Sequence, residues 1–284
     1  MANNPAFNRL EKDARSGYAG FRTGPASSPA VPTELSAQQL QDMYSAPSAV
    51  RPGTERPVTM DDVVMKTLGL FAIVLVTGAV GWYLSATSQV LGLVAWGAGI
   101  VGILGLGIAI AVKKTLSVPL ILTYAVFEGL FVGAISQTYS GAFDPQGTPA
   151  FQGIVAQAVL ATLATFAGMF IAYKTGLIKV TAKFRRIVTM MVFGYVIFAL
   201  VNFGYAIFTN SAFGIGGSGA LGIGISLFAV GLAATMLALD FDQIDYAIRT
   251  GAPQKYSWLL AHGLVVTLVW LYLEFLRLLG RMRN

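Results

Sequence analysis

Leu239-Asp240-Phe241-Asp242-Gln243-Ile244-Asp245 closes one long apolar segment of the chain. A polar turn follows, Arg249-Thr250-Gly251-Ala252-Pro253-Gln254-Lys255, and a second apolar run extends from Tyr256 to Gly280 with His262 and Glu274 inside it. Runs of this length suit helices that cross a hydrocarbon core. Carboxylates at the end of one such helix and within the next are costly there, so each is a functional-site hypothesis by default. The rest of the chain reads as the box that holds this hairpin.

Composition points the same way. Of 284 residues, 55% are apolar and 11% are charged, with 32 glycines. That balance belongs to helical membrane proteins. Cysteine is absent, which excludes disulfides, thiolate metal sites and a Cys nucleophile. A single histidine leaves little scope for a His-based metal site, and no cofactor is expected. The net charge of +6 sits mostly between apolar segments, where membrane topology puts basic residues, so no nucleic-acid partner is expected.

Working outward from the hairpin, spans are expected at Val63–Leu84, Val90–Val112, Val118–Tyr139, Phe151–Tyr173, Arg186–Phe208, Ala220–Leu239 and Tyr256–Gly280. At 1.5 Å per residue each is long enough to cross a core of about 30 Å. Strict apolar alternation is missing, which argues against a β-barrel. The expected fold is an all-α bundle of seven transmembrane helices over 63–284, in a lipid bilayer. Residues 1–62 carry Pro25, Pro29, Pro32, Pro47, Pro52 and Pro57 among polar residues and are expected to be a disordered tail. Short helical turns are expected within it at Phe7–Ala14 and Ser36–Tyr44. No short apolar core follows Met1, so no signal peptide is expected.

The connections alternate in charge. Lys113-Lys114, then Lys174, Lys179, Lys183, Arg185 and Arg186, then Arg249 and Lys255 mark one side, while Ser85–Gln89, Ser140–Ala150 and Thr209–Gly219 hold no Lys or Arg. The basic side is expected to be cytoplasmic, with the N-terminus on that side of the cell membrane. Arg277, Arg281 and Arg283 then fall at the outer end, so the last segment either re-enters or crosses fully with its bases snorkelling to the interface. A full crossing is the expectation. Small residues at four-residue spacing, Ala125-Gly129-Gly133 and Ala164-Gly168-Ala172, are expected to pack helices within one bundle.

Six polar residues carry the chemistry. Glu128 lies mid-span with Val132 and Ser136 on its face, and is either a cross-helix hydrogen-bonding group or part of a proton or cation route. Asp240 abuts the apolar run and is expected to face the bundle interior. Asp242 and Asp245 share another face at the helix end, where Asp245 can pair with Arg249. Glu274, three residues before Arg277, is a local ion pair or a pathway residue. His262 reads as a packing residue with one hydrogen bond or as a pH-responsive group. Asp-x-Asp-x-x-Asp lacks the glycine of a calcium loop. Gly216-Gly217-Ser218-Gly219 matches the Gly-x-Ser-Gly of rhomboid-type intramembrane proteases, but Ser218 and His262 are expected at opposite ends of their helices. The last span holds no Lys for a retinal Schiff base, and no Gly-rich phosphate loop with Lys-Ser/Thr occurs. No enzymatic activity is expected.

Tyr124-x-x-Phe127-Glu128-Gly129-Leu130-x-x-Gly133-Ala134-Ile135-Ser136 resembles the third-helix motif of the Bax inhibitor-1 family, in particular its YccA-like bacterial branch. Asp240-Phe241-Asp242-Gln243-Ile244 resembles the sixth-helix motif, an Asp followed three residues later by Gln, and Leu271-Tyr272-Leu273 with Leu276-Arg277-Leu278-Leu279-Gly280 resembles the seventh-helix terminus. The resemblance covers roughly Val63 to Gly280. It implies a bundle whose last helix is central, set in a bacterial inner membrane. It also implies a pH-sensitive calcium leak in which acids on the sixth and seventh helices act as sensor and latch. Asp240 matches the sixth-helix acid. One alignment of the seventh helix places Thr267 at the second acid's position and another selects Glu274, while the second span lacks the arginine that some relatives use. The alternative function is a non-transporting protein that binds a membrane protease or another integral partner.

Overall fold

The computed structural model describes residues 56–113, 115–149 and 151–284. The tail expected at 1–62, with its turns at 7–14 and 36–44, lies outside these residues except for its end. Seven helices follow in order: α1 Met60–Thr87, α2 Gln89–Val112, α3 Val118–Phe143, α4 Ile154–Lys174, α5 Ala182–Thr209, α6 Ala220–Arg249 and α7 Tyr256–Arg283. All seven are long and apolar enough to span a membrane. Among the described residues, β-pairing is limited to an isolated bridge between Pro57 and Pro253.

Local chemistry explains several helix starts. Thr59 caps α1 in a reciprocal box with Asp62, each satisfying a backbone amide of the other. Pro119 sits in the first turn of α3, where its missing N–H costs nothing. Thr181 caps α5 by accepting from the Phe184 amide at 3.1 Å. α6 continues past Leu239, the expected end of its span, through all three acids to Arg249. Its 30 residues make a rod of about 45 Å, so its last turns stand beyond a hydrocarbon core of about 30 Å.

α7 is the axis of the bundle. Half of its most apolar stretch is buried, against 11–39% for the other six helices. It packs on α1, α3, α4 and α6, while α5 lies along α6. Lipid tails are as apolar as leucine, so close van der Waals packing holds such helices together more than water exclusion does. The tightest case is α1 on α3, where Gly129 and Gly133 lie against Val74, Thr77 and Gly78. A Cβ on Gly133 would overlap the Gly78 carbonyl oxygen, which is backbone and has no rotamer to yield. Gly133→Leu is therefore expected to force the two helices apart at a cost of about 1–3 kcal/mol or more. A lowered thermal midpoint in detergent checks this. The second stripe departs from expectation, because Ala164 and Gly168 face outward and a Cβ on Gly168 meets open space. Spacing alone does not say which neighbour, bundle or lipid, a small-residue face receives.

The two ends are held by different polar contacts. At the basic end, Val58 N donates to Ala252 O at 2.8 Å and Gln254 N to Arg56 O at 2.9 Å, tying the α1 entry to the α6–α7 turn. Arg185 pairs with Asp242, and Lys174 with Asp245 at 3.4 Å. The expected Asp245–Arg249 pair does not form: Arg249 Nε instead donates to the Asp245 backbone carbonyl at 3.2 Å, and the Asp245 carboxylate turns to Tyr173 and Lys174 on α4. At the opposite end, Arg283 pairs with Asp144 at 2.5 Å and Arg281 donates to the Phe213 carbonyl at 3.1 Å and to that of Gly222. α7 thus runs from one end of the bundle to the other. Arg281 is buried under the loop before α6, not snorkelled to the interface as expected.

Candidate functional site

The seam between α6 and α7 collects the buried polar groups. Asp240 lies 20 residues along α6 from Ala220, at about 30 Å of rise, close to the basic-side edge of a hydrocarbon core. It is 9% exposed, faces the interior as expected, and leaves Oδ2 without a hydrogen-bond partner. Its polar neighbour is Thr267 on α7. The Thr267 hydroxyl lies 3.1 Å from the Gly263 carbonyl, to which it donates, and it also faces the Asp240 carboxyl. Of the two seventh-helix candidates, then, Thr267 meets Asp240 and Glu274 does not.

Glu274 stands seven residues further along α7, about 10 Å nearer the opposite face. It is 2% exposed and fully engaged. Tyr195 of α5 donates to Oε1 at 2.6 Å, Trp270 Nε1 donates at 3.1 Å, and Arg277 Nη1 reaches both carboxylate oxygens at 3.0 Å. Arg277 also donates to the Tyr195 hydroxyl at 3.0 Å, closing the ring of contacts. Of the two readings of Glu274, the local ion pair with Arg277 is present, and the carboxylate lies in the bundle interior. Trp270 and Arg277 share its helical face at i−4 and i+3, a pattern visible in the sequence. Tyr195 was missed, because nothing in its own helix marks it.

Glu128 is 3% exposed on α3, with Oε2 unpartnered. Ser136, two turns on, donates to Val132 O at 2.5 Å and shares a 2.7 Å hydrogen bond with the Tyr272 hydroxyl of α7. His262 packs edge-on against Tyr124 with ring centroids 4.5 Å apart, in keeping with a packing role. Asp242 is set apart from Asp240, at the basic mouth with Arg185. Ser218 lies just before α6, at the end where Arg281 meets Gly222, and His262 is 19 residues from Arg281 along α7. That is about 28 Å, far beyond the reach of a nucleophile and its base. Among the described residues no three acidic or histidine side chains converge on a metal position.

The arrangement is a set of buried oxygens strung along the central helix: Asp240 with Thr267 near one face, and Glu274, closed by Arg277, toward the other. Carboxylate and hydroxyl oxygens are the ligand types that hard cations take. The family described as Bax inhibitor 1 like matches residues 4–284 of the chain. Among curated proteins, none matches it.

Proposed function

Since the chain belongs to the Bax inhibitor 1 like family and forms a multi-span helical membrane protein, we propose that it is a passive, pH-sensitive cation leak with calcium as the permeant ion. It has no enzymatic step in this reading. One observation carries it: the buried Asp240 carboxyl, half unpartnered, against the Thr267 hydroxyl of the central helix.

The sign of the pH response follows from the burial of the charge. A protonated Asp240 is neutral and shares the seam between α6 and α7 with the Thr267 hydroxyl. A carboxylate there puts a charge in a buried seam, which is costly away from water, and the helices loosen. The leak therefore opens as pH rises. Asp242 stands at the mouth on the basic side, Glu128 is a further carboxyl along the route, and the Glu274–Arg277–Tyr195 ring closes the far half. The basic loops support a cytoplasmic position for that mouth and for the N-terminus in the cell membrane. Calcium flux into proteoliposomes across the range from about pH 5 to 8 tests the reading. Flux no greater than in empty vesicles, with the protein inserted and folded, would sink it.

In a second reading the N-terminal segment, which leads into the clip between Arg56–Val58 and the α6–α7 turn, binds an integral membrane partner. Deleting residues 1–55 spares that clip. The leak reading expects unchanged flux and an unchanged pH profile in the truncated protein. Absent flux in both forms, with a membrane partner held only by the full chain, would favour the interaction role.

A further inference from the structure

α1 and α4 do not meet among the described residues. Between them the bundle leaves a cavity of about 790 Å³, floored by α3, α6 and α7. This is within the range of about 300–1,000 Å³ typical of ligand sites. On α1 its lining runs from Met60 to Trp82, about 33 Å of rise, or a whole hydrocarbon core of about 30 Å. Over that whole length the lining is almost entirely apolar, as an acyl chain requires.

The hydroxyls of Thr67, Ser136 and Thr162 on its walls already donate to carbonyls of their own helices, so they seek no ligand. Charge appears only at the basic-side mouth. There Lys174 and Asp245 stand 3.4 Å apart, with side chains 44% and 28% exposed, and the Tyr173 hydroxyl donates to Asp245 at 3.0 Å. A pair this long and this wet contributes little by itself and can exchange partners.

We propose that this groove binds a phospholipid of the basic-side leaflet bearing a phosphoethanolamine headgroup, with an acyl chain lying between α1 and α4. The phosphate would meet Lys174 and the primary ammonium would meet Asp245. A phosphocholine has the same charges but no N–H to offer Asp245, and a phosphoglycerol has no cation for it.

Photolabelling of the full chain in mixed phospholipid vesicles tests this, using trace phosphatidylethanolamine with a mid-chain diazirine. Adducts are expected on groove residues such as Leu75 and Leu163 at several times the yield on Val101 of α2 or Ile197 of α5, which face outward elsewhere. The same probe with a choline headgroup is expected to label the groove several-fold less, and Lys174→Ala to erase that preference. The pair Leu75→Trp with Val159→Trp is expected to cut groove labelling at least fivefold. Val101→Trp and size-exclusion behaviour serve as controls for folding, and the native protein's headgroup comparison stands even if the filled variant misfolds. Even labelling of all lipid-facing helices would reduce the site to annular lipid and overturn the proposal. So would equal labelling by the two headgroups, or a protein cross-link in place of lipid.

Discussion

Calcium flux through Asp240→Asn in proteoliposomes is expected to be low and equal at about pH 5 and about pH 8, where the native protein changes by about tenfold or more. The amide nitrogen is a permanent donor in the place of the carboxylic O–H. The side chain stays neutral beside Thr267 at every pH and leaves α6 on α7. The variant thus imitates the protonated, closed state. Thr267→Val is the companion test. It removes the hydroxyl beside Asp240, so the acid form loses its polar partner and flux at low pH rises toward the high-pH level. A native pH profile in Asp240→Asn would show that the sensor lies elsewhere.

The second large effect concerns stability. Arg277→Leu is expected to destabilise the bundle by about 3–5 kcal/mol, the cost of stranding one member of a buried ion pair. Glu274 would remain 2% exposed with only the Tyr195 and Trp270 donors. Equilibrium unfolding by denaturant in micelles measures it. Adding Glu274→Gln to Arg277→Leu is expected to recover much of the loss, because the neutral amide no longer needs the guanidinium. A single-variant loss below about 1 kcal/mol would place the pair with exposed ion pairs.

Much of this protein is legible in one dimension. Hydrocarbon thickness and helix rise demand spans of near 20 apolar residues, and the seven expected spans correspond one to one with α1–α7. The extension of α6 to Arg249 was not read from hydropathy, because its last turns leave the hydrocarbon and need no apolar composition. Helical periodicity put Glu274 beside Arg277 and separated Asp240 from Asp242.

Contacts between helices were decided only in three dimensions. Asp240 meets Thr267, and Tyr195 of α5 completes the Glu274 ring from a distance of 79 residues. Arg283 finds Asp144 across the far end, and Asp245 turns to Lys174 in preference to its helical neighbour Arg249. Ala164 and Gly168 face outward although their spacing matches that of Gly129 and Gly133, which pack. The sequence by itself determined the number and order of the helices and which residues share a face of each, since these follow from the helical repeat and the thickness of the solvent they cross. The rotation and depth of each helix, and with them the Asp240–Thr267 seam and the groove between α1 and α4, came only with the tertiary structure. In a membrane, lipid and bundle interior are equally apolar, so hydrophobicity does not distinguish the inward face; close packing of shapes and the few available polar partners do.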